Sequence, residues 1–261
     1  MPLPVWQALI LGAIQGPAEL LPVSSSGHLT LVPALLGWDQ SGLDAEFRKS
    51  FDVALHAGTA AALAFALRSE VAEVVRSLDP RRLFGVVLTL APAAVLALLF
   101  ERPIEQRLGS PRSVALAQIG AGLALAVADR APAARPYSEA GAVDHLVIGI
   151  DQAAALVPGV SRNGATLTAA RLRHFDRHAA SVLSRHAALP VIAGAAALKG
   201  LRLARRGLPR ELRAPFAAGA AAAFVSTLAS SPLVARMDRA RSYAPFAVYR
   251  VALGGLALLR R

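Results

Sequence analysis

The sequence predicts an all-α, polytopic integral membrane protein with inverted-topology repeats and two re-entrant or broken helical elements. Of its 261 residues, 55% are hydrophobic, and the mean hydropathy is +0.48. The charged residues lie between long apolar runs, whereas a soluble domain of this length has a lower apolar fraction and more evenly scattered charge. Two polar motifs interrupt the apolar sequence, and strand-like alternation, which would indicate a membrane β-barrel, is absent.

In the first half of the chain, apolar runs predict three spans and one broken helix. Residues 5–20 lead into a polar motif, and the apolar run 29–36 after it is too short to cross a membrane alone, so the two together predict a re-entrant or broken element. The predicted spans are residues 51–67, 83–100 and 113–128, each near the roughly 20 residues that cross a hydrocarbon core of about 30 Å.

The second half repeats this organisation after a linker rich in Pro and Ala at residues 129–140. We therefore predict a single membrane domain over 1–261, with a first repeat at 1–128 and a second at 141–261. In the second repeat, apolar sequence at 143–157 leads into the second polar motif, an amphipathic segment follows at 171–186, and further apolar runs occupy 187–198, 215–235 and 244–259.

The net charge of +11 comes mostly from Arg residues between the predicted spans. In such a chain the charge favours membrane topology and anionic lipid head groups, and we expect no nucleic-acid partner. The positive-inside rule places the most basic loop, residues 199–213, in the cytoplasm. Counting spans from that loop predicts a cytoplasmic position for 68–82 and 129–140, and an outer position for the remaining loops, 37–50, 101–112 and 236–242. Both polar motifs would then open to the extracytoplasmic face.

The chain contains no cysteine, which excludes disulfides, a thiolate metal site and a thiol nucleophile. The N-terminus lacks a basic region followed by a cleavage site, so we expect no cleavable signal peptide.

The first polar motif, residues 15–28, places a carboxylate, three hydroxyls and an imidazole within ten residues. Ionisable side chains inside apolar segments are by default functional. We expect Pro17, Pro22 and Gly27 to interrupt the helix there. The candidate functional residues of this motif are Gln15, Glu19, Ser24, Ser25, Ser26, Gly27 and His28.

The second polar motif, residues 158–166, overlays the first when the chain is shifted by 137 residues. Gln15 then meets Gln152, Ser24 meets Ser161, and Gly27 meets Gly164. This weak internal symmetry is typical of inverted-repeat transporters, whose sites lie where the two repeats meet. The candidate binding residues of this motif are Ser161, Arg162, Asn163, Gly164 and Thr166.

The two motifs together contain the parts of a phosphoryl-transfer site. Arg162 can hold phosphate oxygens bidentately, and backbone N–H groups near both Ser-x-x-Gly segments can bind the same anion. Glu19 can hold Mg²⁺ or Ca²⁺, Ser25 can attack phosphorus, and His28 can move a proton. Each residue also has a structural interpretation: Glu19 can pair with Arg162, and the serines can cap the broken helix. The roles of Asp52, His56 and Asp151 stay open.

The motifs resemble those of the undecaprenyl-diphosphate phosphatase family of the bacitracin-resistance type. That family has (Glu/Gln)-x₃-Glu followed by Pro-Val-Ser-Ser-(Ser/Thr)-Gly-His, which residues 15–28 match in full, with Gln15 at the first position. Its second signature, Pro-Gly-x-Ser-Arg-Ser-Gly-x-Thr, is matched at 158–166 except that Asn163 replaces the usual Ser. Residues 51–58 and 245–250 also look like family segments, so the resemblance covers nearly the whole chain.

The resemblance implies a multi-pass enzyme of the bacterial plasma (inner) membrane. It would hydrolyse undecaprenyl diphosphate to undecaprenyl phosphate and inorganic phosphate at the outer face, recycling the carrier lipid for cell-wall synthesis and giving bacitracin resistance. Carried over, Gln15 and Glu19 belong to the element associated with a divalent cation, Mg²⁺ or Ca²⁺, while Ser25 and His28 belong to the catalytic core and Arg162 binds diphosphate.

Two alternatives stay open at this stage. The nucleophile is Ser25, His28 or a water molecule, and the sequence does not distinguish them. A transporter or flippase for a polyprenyl phosphate would also suit an inverted repeat, because it needs a phosphate site but no nucleophile. The sequence also leaves a homodimer open.

Overall fold

The computed structural model describes residues 3–38, 45–66, 68–76 and 79–260. These residues form α-helices, one short 3₁₀ helix at Tyr137–Glu139, and no β-strand, which confirms the predicted all-α class. In the first half the helices are α1 (Val5–Leu20), α2 (Ser25–Leu36), α3 (Ala45–Ala66), α4 (Arg68–Arg76), α5 (Pro80–Leu108) and α6 (Pro111–Ala128). In the second half they are α7 (Ala142–Ala154), α8 (Arg162–Leu172), α9 (Arg177–Arg206), α10 (Arg210–Ser230), α11 (Pro232–Asp238) and α12 (Ala244–Leu259).

Three of the described helices are long and apolar enough to cross a membrane: α5, α6 and α10. The helix α12 is apolar but shorter. Large apolar side chains along α5, including Leu98 and Leu99, are exposed on the protein surface, as expected where lipid rather than water surrounds the helix. The prediction of a polytopic membrane protein is therefore confirmed.

Several predicted loops are helical in the structure. The helix α5 continues to Leu108, so most of the predicted loop 101–112 belongs to α5 and α6, which are separated only by Gly109 and Ser110. The helix α9 joins the last ten residues of the predicted amphipathic segment, 177–186, and the apolar run 187–198 into one 30-residue helix, about 45 Å long. Predicted loops were placed wherever charges cluster, but a membrane helix can extend its charged ends into the head groups and water.

Each polar motif lies where a helix stops and a new one starts. The first break is residues 21–24, between α1 and α2, and the second break is residues 155–161, between α7 and α8. The prediction that Pro17 and Gly27 interrupt the helix was wrong, because Pro17 lies inside α1 and Gly27 lies inside α2. Only Pro22 lies in the first break, where it lacks the backbone N–H that a continuing helix needs.

The two broken helices pack in the same manner at equivalent positions. The helix α1 lies along α10, and α7 lies along α5. A Cβ added at Gly12 would lie 2.3 Å from the carbonyl oxygen of Gly219, and a Cβ added at Gly149 would lie 2.5 Å from that of Leu88. Glycine thus permits close backbone contact at both sites, and the shift by 137 residues aligns these two glycines with each other. These features support the repeat, whose boundaries stay a prediction.

The arrangement of the loops corrects the predicted topology. The Asp129 carboxylate accepts hydrogen bonds from Ser242 (2.9 Å) and from the backbone N–H of Tyr243 (2.8 Å), so residues 129–140 and 231–243 lie at one end of the molecule, the linker face. Leu208 packs in a cluster with Trp38 and Phe47, so residues 207–209 lie with 37–38 at another end, the basic-loop face.

The prediction had placed 129–140 with 199–213 and opposite 236–242, and the structure places 129–140 with 236–242. The difference arises because α7 and α8 form a hairpin that returns to the linker: the backbone N–H of Arg135 donates to the carbonyl of His174, 3.0 Å away. One long helix, α9, then runs between the two ends. The prediction that both polar motifs open to the outer face was derived from that count of spans, so it loses its support.

Ionic hydrogen bonds hold the linker against the second half. Asp129 accepts from Nε of Arg177 at 2.7 Å in addition to Ser242 and the Tyr243 backbone. Burial alone would raise the pKa of the Asp129 carboxyl, but these hydrogen bonds outweigh it and hold that pKa below its ordinary value of 3.8. Because the folded-state pKa is depressed, the carboxylate stabilises the fold above pH 3.8, and this contribution is lost as the pH falls through the lower folded-state pKa.

Labelling of single cysteines tests the corrected topology, since the chain has no cysteine of its own. We expect Ser138→Cys and Arg241→Cys, two exposed positions of the linker face, to react with a membrane-impermeant maleimide from the same side of the membrane, and Arg210→Cys to react from the other side. Labelling of intact spheroplasts is compared with that of lysed cells. Reaction of Ser138→Cys and Arg210→Cys from the same side of the membrane would instead support the topology predicted from the sequence.

Asp129→Asn tests the ionic anchor of the linker. At neutral pH we expect the variant to unfold with about 2 kcal/mol less stability, because charge-assisted hydrogen bonds are replaced by weaker neutral ones. The difference from the unmodified protein should shrink as the pH falls below 3.8, where the native carboxyl also becomes protonated. Unfolding in detergent is followed by circular dichroism; a pH-independent difference would show that the charge of Asp129 contributes nothing.

Candidate active site

The two breaks share one local design. Ser24 precedes α2 with a φ of 70°, and its hydroxyl accepts a hydrogen bond from the backbone N–H of Gly27 at 3.2 Å. Ser161 precedes α8 with a φ of 28°, and its hydroxyl accepts from the N–H of Gly164 at 3.1 Å. A positive φ is unfavourable for a residue with a Cβ and persists only where surrounding contacts enforce it. The structural interpretation of these serines as helix caps therefore holds for Ser24 and Ser161.

Side chains from one motif hydrogen bond the backbone of the other. The amide of Asn163 donates to the carbonyl of Leu20 at 2.7 Å, and the hydroxyl of Ser26 accepts from the N–H of Gly159 at 3.4 Å. The two breaks therefore meet, and the N-termini of α2 and α8 lie close together. Since a helix N-terminus presents unpaired N–H groups and a partial positive charge, the junction favours an anion.

Arg250 on α12 contacts the backbone of both breaks. Its guanidinium donates to the carbonyl of Pro22 at 3.3 Å and to that of Gly159 at 3.0 Å, and the side chain is fully buried. Among the described residues no carboxylate pairs with it. A Cβ at Gly164 would lie 2.7 Å from Nη1 of Arg250, so the glycine of the second motif leaves room for this side chain. Sequence reasoning had placed Arg250 only in a family-like segment and assigned it no role.

Glu19 is the centre of the polar contacts at the junction. One carboxylate oxygen accepts from the hydroxyl of Ser25 at 2.7 Å, and the other accepts from Arg162 at 3.1 Å. The side chain amide of Gln15 lies 3.4 Å from the oxygen that Ser25 contacts, and Nε2 of His56 lies 3.6 Å from it. The structure thus brings together Gln15, Glu19, Ser25 and Arg162, as the sequence had predicted.

His56 joins the site from α3, and sequence reasoning had left its role open. Its Nδ1 donates to the backbone carbonyl of Asp52 at 2.7 Å, and its Nε2 faces Glu19. The signal in the sequence was the family-like segment 51–58 on an otherwise apolar helix. Only the packing of α3 beside α1 shows that the imidazole reaches the carboxylate.

His28 points to another partner than Ser25. Its Nδ1 donates to the backbone carbonyl of Ser24 at 2.7 Å, and its Nε2 then accepts from the hydroxyl of Tyr249 at 2.7 Å. Within the described part of the chain, His28 and Ser25 share no hydrogen bond, although both lie on α2. The imidazole also stacks on the Tyr249 ring, with the centroids 5.6 Å apart.

The remaining predicted binding residues shape the junction. Thr166 is fully buried and donates to the carbonyl of Arg162 at 3.0 Å, so it stabilises the first turn of α8. Gly27 lies where a Cβ would come within 3.0 Å of the amide oxygen of Gln118. That amide in turn donates to the carbonyl of Val23 in the first break at 2.7 Å. These residues therefore fix the backbone at the two breaks.

Two cavities adjoin the junction. A small one, about 50 Å³, is lined by Glu19, Arg162 and Asn163 together with apolar side chains, and α9 forms one of its walls. A larger one, about 610 Å³, lies on the side of His28 and Tyr249 and is lined mainly by apolar side chains of α1, α2 and α12. A charged group and a lipid chain would each find a suitable surface next to the same pair of helix N-termini.

The oxygen donors at the junction fit a hard divalent cation only in part. The amide oxygen of Gln15 is buried and has no hydrogen-bond partner, and it belongs to the amide that contacts Glu19. Carboxylate and amide oxygens are ligands that Mg²⁺ and Ca²⁺ prefer. In the residues that the structure describes, no group of three His, Asp or Glu side chains could by itself hold a metal ion. Water molecules or a bound phosphate ligand would therefore have to complete the coordination.

Comparisons with known proteins agree over almost the full length of the chain. The model of the family described as "Bacitracin resistance protein BacA" matches residues 8–256. The chain is 43% identical to an undecaprenyl-diphosphatase of Pelobacter propionicus, over 95% of this chain and 94% of that protein. It is 39% identical to an undecaprenyl-diphosphatase of Geobacter sulfurreducens, over 97% of both chains, and 36% identical to one of Moorella thermoacetica, over 97% and 96%.

Arg250→Met tests the support beneath the two breaks. We expect the variant to be less stable by about 2–6 kcal/mol, because two buried carbonyl groups lose their donor and each costs roughly 1–3 kcal/mol. Arg260→Met, an exposed position at the end of the same helix, should change stability by less than about 0.5 kcal/mol. Thermal unfolding of both purified variants is compared, and equal stability of the two would contradict the assigned support.

Proposed function

The chain belongs to the bacitracin resistance protein BacA family, and from this membership we infer that it hydrolyses undecaprenyl diphosphate to undecaprenyl phosphate and inorganic phosphate. It is thus an integral membrane hydrolase that recycles a carrier lipid for cell-wall synthesis and gives bacitracin resistance. The observation that carries the site assignment is the contact of Glu19 with both Ser25 and Arg162 where two helix N-termini meet. The alternative of a flippase is not favoured by the names of the relatives.

The diphosphate is bound by Arg162 and by the N-termini of α2 and α8. A guanidinium can donate two parallel hydrogen bonds to phosphate oxygens, and it stays charged in a site of low dielectric. The helix N-termini add N–H donors and partial positive charge. Their proximity is supported by the hydrogen bonds of Asn163 and Ser26 across the two breaks.

Glu19 and the amide oxygen of Gln15 would hold a divalent cation, Mg²⁺ or Ca²⁺. When bound, the cation neutralises charge on the diphosphate. The unpartnered amide oxygen of Gln15 supports this assignment, because a buried polar atom without a partner is rare.

Ser25 is the nucleophile and Glu19 is its base. Since the Ser25 hydroxyl already donates to Glu19 at 2.7 Å, the carboxylate can accept its proton while Oγ attacks the terminal phosphorus. The bond from that phosphorus to the bridging oxygen breaks, and undecaprenyl phosphate leaves with the bridging oxygen and the proton. Water then attacks the phosphoserine, gives a proton to Glu19, and releases inorganic phosphate as Ser25 regains its proton.

His28 is a positioning residue in this mechanism. Its Nδ1–H fixes the carbonyl of Ser24, the strained residue before α2, and its other nitrogen is engaged by Tyr249. We had expected from the sequence that His28 moves the proton of Ser25. The geometry favours Glu19 for that role, because Glu19 and not His28 is the hydrogen-bond partner of Ser25.

The lipid chain lies against the apolar cavity of about 610 Å³ beside the junction. Its walls, which include Ile14, Leu21 and Phe246, can hold the isoprene units nearest the diphosphate, and the rest of the chain extends into the bilayer. A substrate of this kind places the enzyme in the bacterial plasma (inner) membrane. Hydrolysis at the outer face is proposed on the family resemblance alone, since the loop count no longer supports it.

Phosphate release from undecaprenyl diphosphate tests the proposal. Purified protein in detergent should release phosphate with Mg²⁺ or Ca²⁺ and lose this activity with a chelator. We expect Arg162→Ala, Glu19→Gln and Ser25→Ala each to lower turnover at least about 100-fold, since each removes a group that acts on the transition state.

Arg112→Gln serves as the control, because it removes one exposed Arg at the start of α6 and should keep full turnover. Full activity of Ser25→Ala would exclude Ser25 as the nucleophile. Absence of phosphate release from the folded, unmodified protein with either cation would exclude the hydrolase and favour the flippase.

A further inference from the structure

One wall of the small cavity, of about 50 Å³, belongs to α9, a helix that contains neither motif. Across from Glu19 and Arg162, the cavity is lined by Ser181, Ser184 and Arg185 of α9. Ser184 donates to the side-chain oxygen of Asn163 at 2.8 Å, so the position of α9 is fixed against the second motif. Arg185 therefore lies on the wall of the same cavity as Arg162.

Arg185 is held by a small polar network at this wall. Its guanidinium donates to the hydroxyl of Ser181 at 3.1 Å and to the carboxylate of Asp238 on α11. The hydroxyl of Ser181 also donates to Asp238, at 2.6 Å. The side chains of Arg185 and Asp238 are each 19% exposed, so the pair is largely buried, and Arg185 lines the cavity. A long cationic side chain bordered by hydroxyls is a suitable donor for phosphate oxygens.

When a diphosphate binds, a second side-chain cation would add to the charge compensation that the proposed divalent cation supplies. Arg162 is already paired with Glu19, so those two side chains together carry no net charge. A diphosphate ester brings two phosphoryl groups and at least two negative charges into a site of low dielectric, where uncompensated charge is costly. Of the side chains that line the cavity in the described part of the chain, Arg185 is the other cation.

We propose that Arg185 binds one phosphoryl group of the diphosphate while Arg162 binds the other, and that Asp238 competes with the diphosphate for the Arg185 guanidinium. The proposal deepens the function proposed above and rests on it. Arg185 thereby distinguishes a diphosphate from a monophosphate, which a single Arg162 contact would not. Release of inorganic phosphate returns Arg185 to Asp238.

Binding of two inorganic probes to the purified full-length protein tests this inference without requiring turnover. Dissociation constants for inorganic diphosphate and inorganic phosphate are measured by calorimetry for the unmodified protein and for Arg185→Gln, Arg185→Lys and Asp238→Asn. The control is Arg239→Gln, which removes an exposed cation next to Asp238 but outside the cavity lining.

We expect Arg185→Gln to weaken binding of inorganic diphosphate about tenfold and binding of inorganic phosphate less than about twofold, since one charge-assisted contact is lost only for the larger anion. Arg185→Lys should restore part of the affinity. Asp238→Asn should bind inorganic diphosphate about threefold more tightly, because the competing carboxylate is gone. Arg239→Gln should match the unmodified protein.

Equal weakening of both probes in Arg185→Gln, or unchanged affinity for diphosphate, would overturn the proposal. If Arg185→Gln does not fold, unchanged or weaker diphosphate binding by Asp238→Asn overturns it instead. Failure of the hydrolase proposal looks different: the unmodified protein would release no phosphate from the lipid, while the selective loss of diphosphate binding in Arg185→Gln would still be measured.

Discussion

The structure depends on the need to satisfy backbone polar groups where two helices are interrupted inside an apolar environment. Interrupted backbone at membrane depth is tolerated only if protein or a water-filled cavity supplies partners for the freed N–H and C=O groups. Here side chains supply them on both sides of each break. Ser24 and Ser161 bond the N–H groups, while Arg250, Gln118 and Asn163 donate to the carbonyls.

The same arrangement creates the active site. Because both helices restart at the junction, their N-termini present positive partial charge to the same place. Arg162 is the first residue of α8 and Ser25 is the first residue of α2, so the guanidinium and the proposed nucleophile lie on the helix ends that the caps fix. Glu19, at the end of α1, then contacts both. The same contacts that cap the two breaks consequently also orient the proposed reacting groups.

The balance of charged side chains differs between the linker face and the junction of the two breaks. At the linker face, Asp129 and Asp144 each bind Arg side chains and backbone donors, and these pairs tie the base of the second hairpin to the linker and to the loop before α12. At the junction, positive charge exceeds negative charge among the residues that the structure describes: Arg250 is buried and has no carboxylate partner there, and Arg162 is paired with Glu19. Such an excess is unfavourable for the empty protein and favourable once an anionic diphosphate is bound.

The sequence by itself determined the class, the two motifs and most of the junction. Long apolar runs require helices in a membrane, Pro22 lacks the N–H that a continuing helix needs, and the serine of each Ser-x-x-Gly segment can cap a new helix. The approximate positions of the breaks and of Glu19, Ser25 and Arg162 therefore followed from local chemistry. Only the tertiary structure decided which residues join them. His56, Arg250 and Arg185 come from helices distant in the chain, and helix packing, not local propensity, brings them to the junction. The tertiary structure also decided on which side of the membrane each loop lies. A helical hairpin that returns to its own side and a helix that crosses the membrane have the same apolar composition. Only contacts such as that of Asp129 with Tyr243 distinguish them.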